Sequence, residues 1–443
     1  MKVLKFGGTS LASAARMKSV LAIVENQLLS SKDEQILVVL SAVAGTTDKL
    51  VSIANHIENS QVKLASEQIQ GLKSFYPKFI SELFDQASNI DLAHVFIDHL
   101  LNAIESSLNQ FNPSTRAEVL SIGELISTQL FHLLLTDMQR SNAQLNALEF
   151  LALNKSGTPN LPHLNEQLNL KLDATSSNIL IVQGFICRNH QGEISNLNRG
   201  GSDYSASLFA EAIGSEELQI WTDIDGMHNN DPRYVKGTKT IRNISFDEAA
   251  ELSYFGAKIL HPSSIKPARK SNIPVRLLNT LQPEALGTLI SKKSERKLVK
   301  AVAAKDGITA IKIRSSEMLE AQGFLRKIFE VFEHHKTSID MVTTSEVAVS
   351  VTIDDVTYLS EIVDELSDFS QVDVDSGLSI ISVVGEYLIE NRDVVSQVTH
   401  SLKSVPVRMI SYGGSPHNIS LLVPSENKVK ALNLLQQGLF SAE

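Results

Sequence analysis

Apolar residues near the start of the chain fall into two short runs, the first interrupted by Lys5, separated by a helical spacing. Residues 3–6 predict a buried strand that Gly7-Gly8 stops, after which Val20, Leu21, Val24 and Leu28 recur on one helix face. Ile36-Leu37-Val38-Val39-Leu40 predicts a second strand, without the alternation of a half-solvated sheet, so both of its faces are expected to be covered. It runs into the small-residue loop Ser41-Ala42-Val43-Ala44-Gly45-Thr46-Thr47 and then another helix. Two strand-turn-helix units with short connections predict a layered α/β domain with a largely parallel central sheet.

From about 57 to 144 helical spacing dominates, and the segment Ser121-Ile122-Gly123-Glu124-Leu125-Ile126-Ser127 is the one stretch there with chemical character. Strand character returns at 179–182 and 218–221, each followed by a polar, turn-forming loop of the kind that gathers ligands in open α/β sheets. Helices are predicted at 206–212 and 246–255. Around 291–297 the chain becomes charged and loses its periodicity, which marks a domain boundary. Beyond it a strand (308–313), a helix (324–332) and two strands (339–342, 347–353) are followed by the same series again: 378–384, 394–402, 407–410 and 419–423. This predicts an internal duplication of a βαββ unit, each copy a marginal core by itself.

Composition narrows the class. A chain of 443 residues is too long for one ordinary core, and 43% hydrophobic with 20% charged residues is the balance of a globular protein that neither spans a membrane nor stays disordered. The net charge of -10 argues against a nonspecific nucleic-acid binder. Cys187 is the only cysteine, so no intrachain disulfide and no cysteine-based zinc site can form, and a reducing cytoplasm fits best. Val3-Leu4 is too brief for a signal-peptide core, so Met1 is expected to be the true start.

The candidate chemistry sits where strands end. Lys5 closes the first strand, and Gly7-Gly8 carry no side chains to keep a phosphate from the backbone N–H groups; the same residues also suit a snorkelling lysine before an ordinary glycine turn. The spacing is neither GxxxxGK[ST] nor GxGxxG. Asn198-Arg199-Gly200-Gly201-Ser202-Asp203 repeats the theme: Arg199 suits bidentate contact with a carboxylate, and Asp203 suits a lysine. A plain helix cap accounts for Ser202 and Asp203, but not for Arg199 or both glycines. Trp221-Thr222-Asp223-Ile224-Asp225-Gly226 and Asn230-Asp231-Pro232-Arg233 read as turns that also offer groups suited to a nucleotide. Lys258, past Gly256, suits either phosphates or a helix C-terminus. Glu124 lies in an apolar helix, where a carboxylate needs a cationic partner or a ligand ammonium.

Taken in order, KFGGTS from Lys5, SAVAGTT from Ser41, GELIS from Gly123, RGGSDYSA from Arg199, WTDIDG from Trp221, DPR from Asp231 and FGAKILHP from Phe255 resemble the aspartate kinases of the amino acid kinase family. The resemblance covers almost the whole chain apart from about 57–112. It implies transfer of the ATP γ-phosphoryl group, with Mg²⁺, to the β-carboxylate of L-aspartate, as the first step toward lysine, threonine and methionine. That acceptor is already ionised, so positioned cations matter more than a base. By resemblance, Lys5 and Asp203 are catalytic. Ser41, Thr47, Glu124 and Arg199 form the aspartate pocket. Lys5, Gly7, Gly8, Thr9, Thr222, Asp223, His228, Arg233, Lys258 and Ile259 bind ATP, His228 standing where the family usually has an aromatic. No protein metal ligands are implied.

The duplicated region resembles paired ferredoxin-like ACT units that follow the catalytic domain (1–292) within a regulatory region (293–443), at about 308–376 and 377–443, either consecutive or interleaved. Such units bind amino acids and often join subunits, so a homo-oligomer, dimer or tetramer, is implied. Met318, Ala321, Phe324, Leu325, Ser338, Ile339, Asp340, Thr344, Ser345 and Glu346 resemble the effector site of the lysine-inhibited branch, with Asp340 toward the effector ammonium and Ala321 in place of a common serine. Two other readings remain at this point: a kinase of the same fold acting on glutamate, and a catalytically silent amino-acid-binding regulator.

Overall fold

The computed structural model describes residues 1–30, 35–108, 112–197, 200–256, 260–293, 297–315 and 323–440. Met318, Ala321, Arg199, Lys258 and Ile259 lie outside the described residues. The chain forms two compact units. The first comprises Met1–Met227, Arg242–Phe246 and Ile259–Ser294; the second comprises His228–Ile241, Asp247–Lys258 and Glu295–Glu443.

The first unit is built on β1 (Lys2–Phe6), β2 (Ile36–Leu40), β3 (Asn142–Gln144), β4 (Ile179–Gln183), β7 (Leu218–Thr222), β8 (Asn243–Ser245), β9 (Val275–Asn279) and β10 (Thr288–Ser291), with β5 (Ile186–Arg188) and β6 (Ile194–Asn196) as a separate hairpin. The sheet order is β3-β4-β2-β1-β7-β9-β10-β8, parallel at every pairing except β9 with β10. Its helices are α1 (Ala14–Ser30), α2 (Thr46–Glu58), α3 (Val62–Leu83), α4 (Ala87–Ser107), α5 (Pro113–Asp137), α6 (Leu161–Asp173), α7 (Gly201–Ile213) and α9 (Lys266–Lys270), while α8 (Phe246–Tyr254) starts in this unit.

β1, β2 and β4 are buried on both faces, as the lack of alternation in residues 36–40 predicts for β2. Alternate residues sort onto the two sides. Leu4, Phe6, Ile36, Val38, Leu40, Ile179 and Ile181 join one continuous core with residues of α1 to α5. The period of two therefore turns Lys5 away from that core, to the side where it meets α7. Within α5 the stretch Ser114–Asp137 is long and apolar enough to cross a membrane, but 72% of its apolar window is buried, so the core of this unit uses it.

The second unit holds β11 (Ala301–Arg314), β12 (Val342–Thr344), β13 (Ala348–Ile353), β14 (Gln371–Val384), β15 (Met409–Tyr412) and β16 (Asn418–Pro424) in one antiparallel sheet of order β12-β13-β11-β14-β16-β15. Its C-terminal helices are α10 (Phe324–His334), α11 (Leu359–Ser367), α12 (Val394–Ser401) and α13 (Lys428–Phe440). The duplication appears as two cores. Ile311, Phe324, Ile328, Val349, Val351, Ile362 and Leu366 belong to one; Val302, Ile381, Val394, Val398, Leu421 and Leu432 belong to the other.

Several elements differ from the sequence expectation for physical reasons. β11 and β14 each run fourteen residues, longer than 308–313 and 378–384. The first half of β14 is largely exposed and its alternation is limited to Val372 and Val374 between polar residues, so pairing with Ile308 to Arg314 is what extends the strand back to Gln371. The strand expected at 339–342 begins at Val342 instead, although Asp340 N–H still donates to the Thr352 carbonyl (2.8 Å). Each βαββ series is extended by a second helix, α11 or α13.

Helix α5 opens with a reciprocal cap: the Asn112 side chain accepts from Thr115 N–H (2.9 Å), and Thr115 Oγ1 accepts from Asn112 N–H (3.3 Å). Asn112→Ala is expected to cost about 1 kcal/mol, read as a lower denaturant midpoint for the first unit with α5 otherwise intact.

Candidate active site

Strands β1, β2, β4 and β7 are mutually parallel, so their following loops emerge along one edge of the sheet. Backbone bonds tie those loops together. Gly7 N–H donates to the Trp221 carbonyl (3.2 Å), Ser41 N–H to Phe6 (3.2 Å), Ala44 N–H to Gly8 (3.2 Å) and Gly184 N–H to Leu40 (3.0 Å). Gly8 is required by this closeness, since a Cβ there would stand 2.9 Å from the Ala42 carbonyl oxygen.

Lys5 is only 7% exposed, and its Nζ lies 2.6 Å from Asp203 Oδ1. Asp203 sits in the first turn of α7, where the free N–H end of the helix favours a carboxylate. A Cβ on Gly7 would lie 3.6 Å from Lys5 Nζ, so the ammonium stands directly over the glycine turn. Cation, paired acid and bare backbone thus meet within one loop cluster.

A second carboxylate enters from the opposite side of the sheet. Gly123 lets α5 approach the loop after β2, because a Cβ there would come within 2.6 Å of the Ala42 Cβ. Glu124 Oε1 accepts the Ala42 N–H (3.2 Å), while Oε2, also buried, has no hydrogen-bond partner among the described residues. Burial pushes the Glu124 carboxyl up from 4.5 to about 8, with the Ala42 N–H and the Lys5 charge pulling the other way. An unsatisfied oxygen beside a nearby ammonium is suited to receive a second cationic group.

The other expected residues are distributed as follows. Ser41 and Thr47 are half-buried, in the loop after β2 and in the first turn of α2. Thr9 is exposed beside Gly8. Thr222 ends β7 and accepts Ile224 N–H (3.1 Å) in a local turn, with Asp223 exposed next to it. His228 and Arg233 belong to the second unit: His228 Nδ1 bonds Thr238 Oγ1 (3.1 Å), and the Arg233 guanidinium forks onto Asp231 (2.6 to 3.2 Å). In the same unit Phe324 is buried and Leu325 exposed at the start of α10. Ser338, Ile339 and Asp340 lead into β12, and Thr344, Ser345 and Glu346 turn exposed toward β13. Asp340 Oδ1 lies 2.8 Å from Lys305 Nζ and accepts the Tyr254 hydroxyl (2.7 Å).

Tyr76, in the helical stretch that offered no chemical signal, is a site neighbour the sequence did not reveal. Its hydroxyl is 3.3 Å from Thr46 Oγ1, and burial pushes the phenol up to about 12, the Thr46 bond opposing this and the Glu124 charge adding to it. Its helical spacing marks Tyr76 only as a core residue; no local motif distinguishes it.

Comparison with known proteins gives the family of this fold. The model of the amino acid kinase family matches residues 1–279, and that of an ACT domain matches residues 381–439. The chain is 34% identical over 457 residues to lysine-sensitive aspartokinase 3 of Escherichia coli, covering 99% of each, and 33% identical to chloroplastic aspartokinase 2 of Arabidopsis thaliana, covering 100% of this chain and 84% of the relative. Among solved structures, E. coli aspartokinase III in complex with aspartate and ADP superimposes with a TM-score of 0.82 at 34% identity, over 99% of this chain and 100% of that one. The Clostridium acetobutylicum aspartate kinase does so with a TM-score of 0.84 at 25% identity, over 99% and 100%.

The upward displacement of Glu124 has a measurable sign. Its protonated form is favoured by folding, so the stability it lends is complete below about 4.5 and is lost as pH rises through about 8. Glu124→Gln is expected to unfold at a higher denaturant concentration than wild type at mildly alkaline pH and to show a flatter stability profile. Parallel profiles for the two proteins would contradict this.

Proposed function

Because the chain belongs to the amino acid kinase family, among its aspartokinases, we infer that it transfers the γ-phosphoryl group of ATP to the β-carboxylate of L-aspartate, giving 4-phospho-L-aspartate. The observation that carries this reading is the buried Lys5–Asp203 pair over the Gly7-Gly8 turn, with the half-satisfied Glu124 carboxylate beside it.

The chemistry follows from charge. A carboxylate acceptor needs no proton removed at neutral pH, and the obstacle is repulsion between it and the phosphates. Lys5, aimed by Asp203, stabilises the transferring group, while the backbone N–H groups of Gly7, Gly8 and Thr9 receive phosphate oxygens. Glu124 Oε2 takes the α-ammonium of aspartate, and Ser41, Thr47 and Arg199 hold its carboxylates. Thr222, Asp223, His228, Arg233, Lys258 and Ile259 are assigned to the nucleotide by resemblance. The donor set here is ammonium, hydroxyl and backbone N–H, with Asp203 already held by Lys5; that suits Mg²⁺ carried in on the nucleotide phosphates, whose charge it would neutralise.

The catalytic part is taken as 1–292 and the regulatory part as 293–443, with ACT units at about 308–376 and 377–443 joining subunits into a dimer or tetramer. L-lysine is the inhibitor, a reading supported by the lysine-sensitive relative and by the complex of E. coli aspartokinase III with lysine and aspartate. A cytoplasmic setting is supported by the single, buried Cys187.

Lys5→Ala is expected to lower turnover by about 10²- to 10³-fold or more with the fold intact, measured by trapping the acyl phosphate with hydroxylamine; near-normal rates would sink the assignment. In wild type the apparent affinity for aspartate should improve as pH rises through about 8, because ionised Glu124 is the form that pairs with the substrate ammonium. Glu124→Gln should raise KM and flatten that profile. Asp340→Ala is expected to relieve inhibition by lysine in the same assay, and equal inhibition of both proteins would refute the effector assignment.

A further inference from the structure

The Lys305 ammonium in the second unit is surrounded by more than one ion pair requires. It lies 2.8 Å from Asp340 Oδ1 and 2.8 Å from Asp354 Oδ2, and 4.7 Å from the centre of the Tyr254 ring. The Tyr254 hydroxyl donates to the same Asp340 oxygen at 2.7 Å. The Asp340 side chain is 1% exposed, and its buried Oδ2 has no hydrogen-bond partner among the described residues. Asp354 and Tyr254, by contrast, are about two-fifths exposed, so the group is shut at Asp340 and open on the other side.

Two carboxylates and an aromatic face form a site for an alkylammonium ion. Lys305 reaches it from an irregularity in β11, where the register against β14 shifts between Lys305 and Ile308 and Gly307 adopts φ +76°. Such bulges re-aim side chains. We propose that Asp340, Asp354 and Tyr254 form an alkylammonium cage whose resident ligand is the chain's own Lys305, and that a diamino acid effector enters by displacing Lys305 with its side-chain ammonium. This rests on the reading that Asp340 faces the effector.

Exchange of one ammonium for another keeps the buried Asp340 carboxylate neutralised throughout. An amino acid whose side chain is uncharged cannot put that side chain in place of Lys305 without leaving Asp340 bare, which is costly. Lys305 therefore acts as a selectivity filter for cationic side chains, and by competing it weakens the apparent affinity of the effector that does enter. Tyr254 is the last residue of α8, so exchange at the cage alters what holds the end of that helix.

The test is thermal unfolding and calorimetric titration of the full chain as wild type, Lys305→Ala and the better-filling Lys305→Met, with n-butylammonium, n-butanol and L-lysine as probes. Lys305→Ala should melt lower than wild type and be restored by n-butylammonium but not by n-butanol, while wild type gains little from either. L-lysine should bind both variants about tenfold more tightly than wild type. Adding Asp354→Asn to Lys305→Met should remove most of that gain. Equal responses of wild type and both Lys305 variants to n-butylammonium would overturn the cage. Selective rescue by n-butylammonium, with L-lysine binding no variant, would uphold the cage and refute only lysine as its effector.

Discussion

An ammonium group buried at the end of a central strand has to be neutralised, and much of the first unit is arranged around doing so at Lys5. Leaving that charge alone in a low-dielectric interior would cost several kcal/mol, so its counter-ion must arrive by tertiary structure. Asp203 supplies it from the first turn of α7, where the helix end already favours a negative group. The pairing needs a short loop on the cation's open side, hence the glycines, and it leaves Glu124 as a second acid whose own charge is discouraged by burial. Lys5 and Asp203 balance one another, and the unpaired Glu124 oxygen suits one added cation beside the anionic oxygens that Lys5 and the glycine turn attract, which is the charge pattern of an amino acid dicarboxylate arriving with a nucleotide.

Much of this was readable in the sequence, and the reason is local. β2 and β4 announce themselves because a parallel sheet covered on both sides demands near-continuous apolar runs, β1 is broken only by Lys5 before its glycine stop, and Gly8 and the glycine pair at the start of α7 stand where close approach leaves no space for a side chain. What joins Lys5 to Asp203 is not local: they lie far apart in the chain, and only the order of whole motifs links them. Tyr76 looks like any other buried aromatic on a helix until the fold brings it to Thr46 and Glu124. Lys305 is harder still, because its role depends on residues contributed by α8, the approach to β12 and the end of β13.

The second unit shows the limit of pattern reading more clearly. The first half of β14 offers only Val372 and Val374 between polar residues, and β11 gives it the hydrogen-bond partners that make it a strand. The helices α11 and α13 complete each series by covering cores that the strands expose, with Ile362 and Leu366 in one and Ala431, Leu432 and Leu435 in the other. Periodicity identifies the repeat; the ladder decides where its strands begin and end.

That ladder also crosses the two halves of the duplication. Ala301 to Lys305 pair with Ile380 to Val384, and Val302 packs in the core built around α12 and α13, although the whole of the first series lies between these segments in the chain. On the ribosome, the opening strand of the later core is therefore synthesised well before its partners and must wait, exposed, while α10, β12, β13 and α11 emerge and settle. The early half can close as it is made. The late half cannot, and its stability arrives only with the final helix.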